Sequence, residues 1–316
     1  MTAAEQQLQA REAALNGNFM NRASLAVRGQ LGTGLWILAG ILAIPPAFKA
    51  CLYYVLAPLV CRMRPVRLIE CGSSANVPRP DRSAVSLEFV ITPGQEILVH
   101  PDYLQSSSKP ARKVTQWFLN SRLPISSIAS GMCALMRINP EADTGTKVVV
   151  SSQKDAFGEV CAIELPADAA LVAHPRSLAG VIKQDSDPVI ITSHWRLFSV
   201  HAWLTLQLRY LVFNGPCTLI MKGCRGVRTE EPDPEKPRMI NQASTIGFSA
   251  NLEYQNTRCE TFVSYLFGKE SLFNDLFSGG PGRFVYEEMP NAGKKGGISG
   301  RGIEGVFDAV FKVFGI

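Results

Sequence analysis

Four histidines are the first residues of which chemistry can be asked. His100 and His174 each open a His-Pro step after an apolar run, ILVHPDYL and LVAHPRSL. Joint catalysis or metal binding needs the two rings to converge. The repeat instead places them at equivalent turns, each ring capping a strand end. His194 and His201 share one face if their segment is helical, but no Cys, Asp or Glu stands near them at metal-ligand spacing. Gly279-Gly280-Pro281-Gly282 leads into an apolar strand pattern, RFVYEE, whereas a phosphate cradle wants a helix N-terminus after its glycines. Gly279, Gly280 and Gly282 are therefore expected as structural turn residues, and Gly215 likewise before CTLIMK. Gly268-Lys269 lacks the upstream glycine of a P-loop, and no GxSxG or HExxH occurs. Glu230-Glu231 and Glu287-Glu288 sit in turn-rich stretches and read as solvated. The chemistry-bearing residues thus point to no catalytic group, no metal and no cofactor, and the expected protein is not an enzyme.

The elements that carry these residues begin with an apolar stretch. Gly34–Cys61, GLWILAGILAIPPAFKACLYYVLAPLVC, holds one charge, Lys49. A helix needs about 20 apolar residues to cross a bilayer core, and this run is long enough. Arg22 and Arg28 precede it; Arg62, Arg64 and Arg67 follow, and basic flanks stay on the cytoplasmic or matrix side. The stretch reads as a membrane anchor, with Trp36, Pro45, Pro46, Lys49, Tyr53 and Tyr54 as its marker residues. Two geometries stay open. One is a single helix over Gly34–Tyr53. The other is a re-entrant hairpin in which Leu35–Ile44 enters, Pro45-Pro46 reverses the chain and Cys51–Cys61 returns, since proline removes backbone donors. A buried helix of a globular core is the third reading.

Residues 1–33 read as a helix, AAEQQLQAREAAL, ended by Asn16-Gly17-Asn18, in an Arg-biased and possible targeting segment. Residues 62–82 read as an extended Pro/Gly/Ser linker. From Ser83 to Pro290 short β-branched or aromatic runs alternate with Gly, Pro, Asn and Asp turns at roughly ten-residue spacing, which argues for an all-β sandwich or barrel-like solenoid. KVTQWFLN and Trp195–Leu208 are ambiguous between strand and helix, and ETFVSYLF counts among the strand runs. The His-Pro echo, with a weaker third copy at Arg238–Gly247, implies stacked β units that complete one another's cores. Residues 291–302 form a basic Gly-rich linker. Beyond it Ile303, Val306, Phe307, Val310, Phe311 and Phe314 share one face of a short amphipathic helix, suited to a membrane surface or a partner.

Composition narrows the partners. Net charge is +5 and charged residues make up 19%, with no block of like charge, so no nucleic-acid tail is expected. Aromatics are not interleaved with basic clusters, which argues against single-stranded nucleic acid. Eight cysteines are scattered without a CxxC, as in a reducing intracellular compartment.

Between Tyr210 and Pro290 the chain resembles a known family. Phe213, Gly215 and Gly223 stand around one strand, Ile240–Phe248 forms another, and Phe277, Gly279, Gly280 and Gly282 lead into Phe284–Tyr286. These resemble the altered-inheritance-of-mitochondria family, with its tryptophan-RNA-binding-attenuator-like β fold. The resemblance covers about two thirds of the chain, with the first half fitting more loosely. It implies a mainly β, stacked-strand, pseudo-repeated sandwich that is often oligomeric and is linked to mitochondrial inner-membrane organisation, with bacterial members at the cytoplasmic membrane as the alternative setting. It supplies no catalytic residue. The expected protein is a non-enzymatic membrane-anchored β scaffold, with membrane lipids and protein partners or self-association and no nucleic acid. The alternative is a lipid or small-molecule binding module at a membrane surface.

Overall fold

The structure is a computed structural model and describes residues 3–62, 65, 67–68, 82–141, 145–153, 155–174, 177–185, 187–195, 209–280 and 282–289. The chain divides into two compact units, Met1–Leu56 and Ala57–Ile316. The first is helical. Helix α1 runs unbroken over Ala3–Cys51 and widens into a π-helix over Leu52–Leu56. Two expectations fall here. Asn16-Gly17-Asn18 does not end the helix, and Pro45-Pro46 does not reverse it, so the hairpin is excluded. Two missing backbone donors are a local loss, and the Leu- and Ala-rich residues on either side are strong enough helix formers to carry the chain through. Among the described residues no helix is long and apolar enough to cross a membrane.

The second unit is mainly β, and among the described residues every strand pairs antiparallel, in four sheets. Sheet I is β1 (Ser86–Ile91), β6 (Thr146–Ser151) and β3 (Leu104–Ser107). Sheet II runs β4 (Ala111–Phe118), β5 (Cys133–Pro140), β2 (Gln95–Val99), β9 (Leu178–Gln184), β12 (Cys217–Cys224) and β7 (Gly158–Leu165). Sheet III runs β10 (Ile190–Trp195), β11 (Arg209–Asn214), β8 (Ala170–Ala173), β15 (Thr245–Ser249), β18 (Phe284–Glu287) and β13 (Val227–Glu230). Sheet IV is β14 (Arg238–Asn241), β17 (Phe273–Gly279) and β16 (Glu253–Arg258).

Strand pleating explains the stacking. Successive side chains point to opposite faces, so Ile97 and Val99 of β2 enter one core while Leu98 enters another. The first core joins sheets I and II through Ile91, Ile138, Val148, Val150 and Ile220. The second joins sheets II and III through Leu135, Ile163, Leu171, Phe213, Leu219 and Val285. The third joins sheets III and IV through Val212, Phe248, Tyr254, Phe277 and Phe284. The inner strands of sheets II and III are buried on both faces, which is why β8, β11 and β15 are apolar almost throughout.

Three of the passages between layers are corners of the same kind. β2 leaves sheet II for β3 of sheet I at His100–Tyr103, β8 leaves sheet III for β9 of sheet II at His174–Ser177, and β14 leaves sheet IV for β15 of sheet III at Asn241–Ser244. At each corner the fourth residue's N–H donates to the first residue's carbonyl, at 2.9, 3.2 and 2.8 Å. Gly180 of β9 pairs with Val99, and Gly247 of β15 pairs with Ala173. A Cβ on Gly180 would lie 2.9 Å from the Leu98 carbonyl oxygen, and one on Gly247 would lie 2.7 Å from that of Val172. Both obstacles are backbone. Gly180→Ala and Gly247→Ala are therefore each expected to cost about 1–3 kcal/mol in denaturant titrations. Gly279→Ala is the contrast. Its nearest neighbour is a side-chain oxygen 3.8 Å away, so it should be neutral or stabilise by about 0.4–1 kcal/mol. A loss at Gly279 equal to that at Gly247 would contradict this account.

Several local expectations are corrected. KVTQWFLN supplies strand β4. ETFVSYLF is not a strand, because Thr261 accepts a hydrogen bond from the Ser264 N–H at 3.2 Å and caps a short helix over Phe262–Leu266. Helix α2 (Ala57–Cys61) belongs to the β unit, where Ala57 and Val60 pack on Leu272 and Phe273 and the Gln255 amide donates to the Cys61 carbonyl at 2.7 Å. Within the expected linker, Leu68 is held to the Ala250 carbonyl at 3.2 Å and Arg67 is ion-paired with Glu253.

Candidate functional site

The expected anchor residues lie on or just beyond α1. Large apolar side chains there stand in solvent, with Leu35, Trp36, Ile37, Phe48, Tyr54 and Val55 all more than half exposed and Trp36 at 80%. Pro46 and Lys49 are half-buried, Pro45 lies within the helix, and Tyr53 is buried. A soluble protein rarely leaves so many large apolar side chains of one helical unit in solvent unless they serve an interaction.

The histidines do not converge. His100 and His174 stand at different corners of the stack. At the first, the Nδ1 of His100 accepts the Asp102 N–H at 3.3 Å and caps a 3₁₀ turn over Pro101–Tyr103. His194 lies in strand β10 opposite Tyr210, and His201 lies outside the described residues. Among the described residues no group of three or more His, Cys, Asp or Glu is placed to hold a metal. The cysteines there, Cys51, Cys61, Cys133, Cys161, Cys217, Cys224 and Cys259, are all free thiols, and burial pushes Cys217 up to about 12.

The glycine positions serve backbone geometry. A Cβ on Gly215 would fall 1.9 Å from the Pro166 carbonyl oxygen, in the turn between β11 and β12. Gly280 and Gly282 have φ of +96° and +154°, and their Cβ positions are blocked by Asn251 and Ser249. Gly279 is the last residue of β17 rather than a turn residue. The helix over Ile303, Val306, Phe307, Val310, Phe311 and Phe314 and the linker at 291–302 lie outside the described residues.

The carboxylates differ most from expectation. Glu287 is buried at 2% exposure, and its Oε2 accepts the Cys224 N–H at 3.0 Å. Glu288 pairs with Arg228, Glu230 with Arg238 and Glu231 with Arg283. On sheet II a cross-strand group unites Glu96, Lys183, Arg137 and Asp185, with Glu96 to Lys183 at 2.5 Å and Arg137 to Asp185 at 2.5 Å. Buried charge in this group is matched by opposite charge, as burial requires.

One buried acid has no such match. Asp275 of β17 is fully buried between sheets III and IV. Its Oδ1 accepts the Tyr254 hydroxyl at 2.8 Å and the Asn256 amide at 3.1 Å, while Oδ2 makes no hydrogen bond. Burial pushes its carboxyl up to about 6 against the pull of the Thr245 hydroxyl first and then of Tyr254 and Asn256, and Tyr254 is raised well above its ordinary value by burial and then by the Asp275 charge. Sequence reading missed this cluster. ANLEYQN and SLFNDLF are written in alternation as strands, yet nothing local says that the polar members of that alternation point inward.

No family model matches the chain, and no curated protein matches it. A crystal structure of a Streptococcus pyogenes protein superimposes with a TM-score of 0.44 at 11% identity, over 67% of this chain and 94% of that one.

Proposed function

We propose that this protein is a non-enzymatic β scaffold attached to a membrane through the apolar residues of Gly34–Cys61, working at the mitochondrial inner membrane. The observation that carries the reading is the exposed apolar surface of Leu35, Trp36, Ile37, Phe48, Tyr54 and Val55. Moving one such side chain out of water is worth about 1.5–3 kcal/mol, so a membrane interface that took several of them would hold the chain firmly. Attachment needs burial in the interfacial layer, and crossing is not required for it. The scaffold half of the proposal is supported by the stack itself, whose sheet II charges are tied to one another across strands. The mitochondrial setting is supported by the family resemblance of Tyr210–Pro290 alone.

Vesicle flotation of the full chain tests the attachment. The chain is expected to float with neutral phosphatidylcholine vesicles, and a Leu35→Ser, Ile37→Ser, Phe48→Ser variant is expected to stay at the bottom with its β unit still folded. A wild-type chain that does not float would overturn the reading. In cells, alkaline carbonate that leaves the wild type in the membrane pellet and releases the variant would agree with it.

A further inference from the structure

One flank of the β stack carries exposed cations together with exposed large apolar side chains. Sheet II ends there in β4 and sheet III ends in β10. Between Tyr103 and Pro140 the chain carries Lys109, Arg112, Lys113, Arg122 and Arg137 and no acidic residue. Arg137 is taken up by Glu96 and Asp185. The other four cations are exposed, and among the described residues none of them is in an ion pair. The same stretch presents Trp117 at 69% and Ile125 at 67% exposure. Helix α3 (Pro124–Ala129) turns Ser126 and Ser127 inward and leaves Ile125 and Ile128 outward.

Beneath these residues lies Arg209, the first residue of β11, at 8% exposure. Its Nε donates to the Ser193 hydroxyl at 3.0 Å, and its Nη2 donates to Ser193 at 2.6 Å and to Ser126. The guanidinium lies 5.0 Å from the ring centroid of Trp195, itself about half exposed. No carboxylate pairs with Arg209 among the described residues, and Nη1 makes no hydrogen bond. A buried cation with an open donor and two hydroxyls beside it is suited to a phosphate oxygen, which a guanidinium meets in a planar fork.

We propose that this flank docks on an anionic lipid surface, with Trp117, Ile125 and Trp195 entering the interface, Arg112 and Arg122 meeting the surface charge, and Arg209 taking a lipid phosphate. The proposal rests on the membrane reading above and adds lipid selectivity to it. Tryptophan prefers the headgroup layer, and exposed cations are drawn to anionic leaflets over about a Debye length. The flank supplies both, and its four exposed cations outnumber the exposed acids that border it, Glu141 after β5 and Asp187 before β10.

The test is flotation of the full chain on two vesicle compositions, phosphatidylcholine alone and phosphatidylcholine with phosphatidylglycerol. The wild type is expected to partition at least about 10-fold more strongly onto the anionic vesicles at low salt, with the excess falling as salt rises. Arg112→Glu with Arg122→Glu should abolish the excess, and Trp117→Ser with Ile125→Ser should reduce it. All four positions are exposed, so unchanged melting confirms that these variants fold. Arg209→Lys keeps the charge but not the fork and should weaken the anionic excess alone. Equal partition onto both vesicles would overturn this proposal while leaving the attachment reading intact. An anionic excess that survives Arg112→Glu with Arg122→Glu would overturn it too, by placing selectivity elsewhere. Stabilisation by inorganic phosphate that is lost in Arg209→Lys, without any vesicle preference, would mark a free-anion site and overturn the lipid assignment. A chain that floats with neither vesicle overturns both readings.

Discussion

Phe277→Ala is expected to destabilise the β unit by about 3–5 kcal/mol. Phe277 of sheet IV is fully buried and meets three other rings. It stacks on Phe284 at 4.8 Å with the planes 8° apart, and it lies 5.6 Å from Phe248 and 5.7 Å from Tyr254. Phe248 and Phe284 come from sheet III, so this ring is the main apolar tie between the outer sheet and its neighbour. Truncation removes the transfer energy of the ring and leaves a cavity walled by the Phe248, Tyr254 and Phe284 rings, which their strands hold in place so that it fills only in part. The denaturation midpoint should fall with little change in slope, because the surface exposed on unfolding is nearly unaltered. The melting temperature should drop by roughly 10 °C for a domain of this size. Phe267→Ala is the control. Phe267 is exposed, and its loss should stay within about 0.5 kcal/mol. A Phe277→Ala loss below about 1 kcal/mol would show that sheet IV is held by something other than this core.

The second large effect is a pH dependence centred on Asp275. Its carboxyl ionises at about 6 in the folded protein and near 3.8 when unfolded. A raised acid pKa means that the folded state holds its proton where the unfolded state has lost it. Stability from this group is therefore greatest below about pH 4 and declines as pH rises through about 6, by about 3 kcal/mol in all. Asp275→Asn keeps an oxygen that accepts the Tyr254 hydroxyl and the Asn256 amide, and it removes the buried charge. The variant is expected to be more stable than the wild type at pH 7.5 and to lose that advantage at pH 4. The difference between the two proteins is the quantity to follow, because other acids titrate in both. A difference that stays constant from pH 4 to pH 7.5 would mean that Asp275 meets a cation or water that relieves its charge.

Much of the scaffold is readable in the chain. Runs such as EILV, TKVVVS, EVCAIEL and CTLIMK are β-branched and bounded by turn residues, and they are strands in the structure. These are local signals, since strand preference and turn chemistry depend on neighbours in sequence. The echo around His100 and His174 is local in the same sense, and both elements form corners with the same backbone hydrogen bond.

Tertiary structure decided the rest. The division into four layers is invisible to periodicity, because strands buried on both faces lose the alternation that would say which side meets which. Burial of Glu287, Asp275 and Glu96 depends on strands far away in sequence, so Glu287, which read as solvated, lies inside along with two acids the sequence did not single out. The helix at Phe262–Leu266 went against local expectation because of one threonine cap, whereas continuation of α1 through Pro45-Pro46 decided between the single helix and the hairpin, because flanking propensity outweighed two lost donors. Sequence alone determined that this is a mainly β protein preceded by an apolar stretch. Only long-range packing determined which of its polar residues are buried, for burial is a property of the neighbours that a fold brings together.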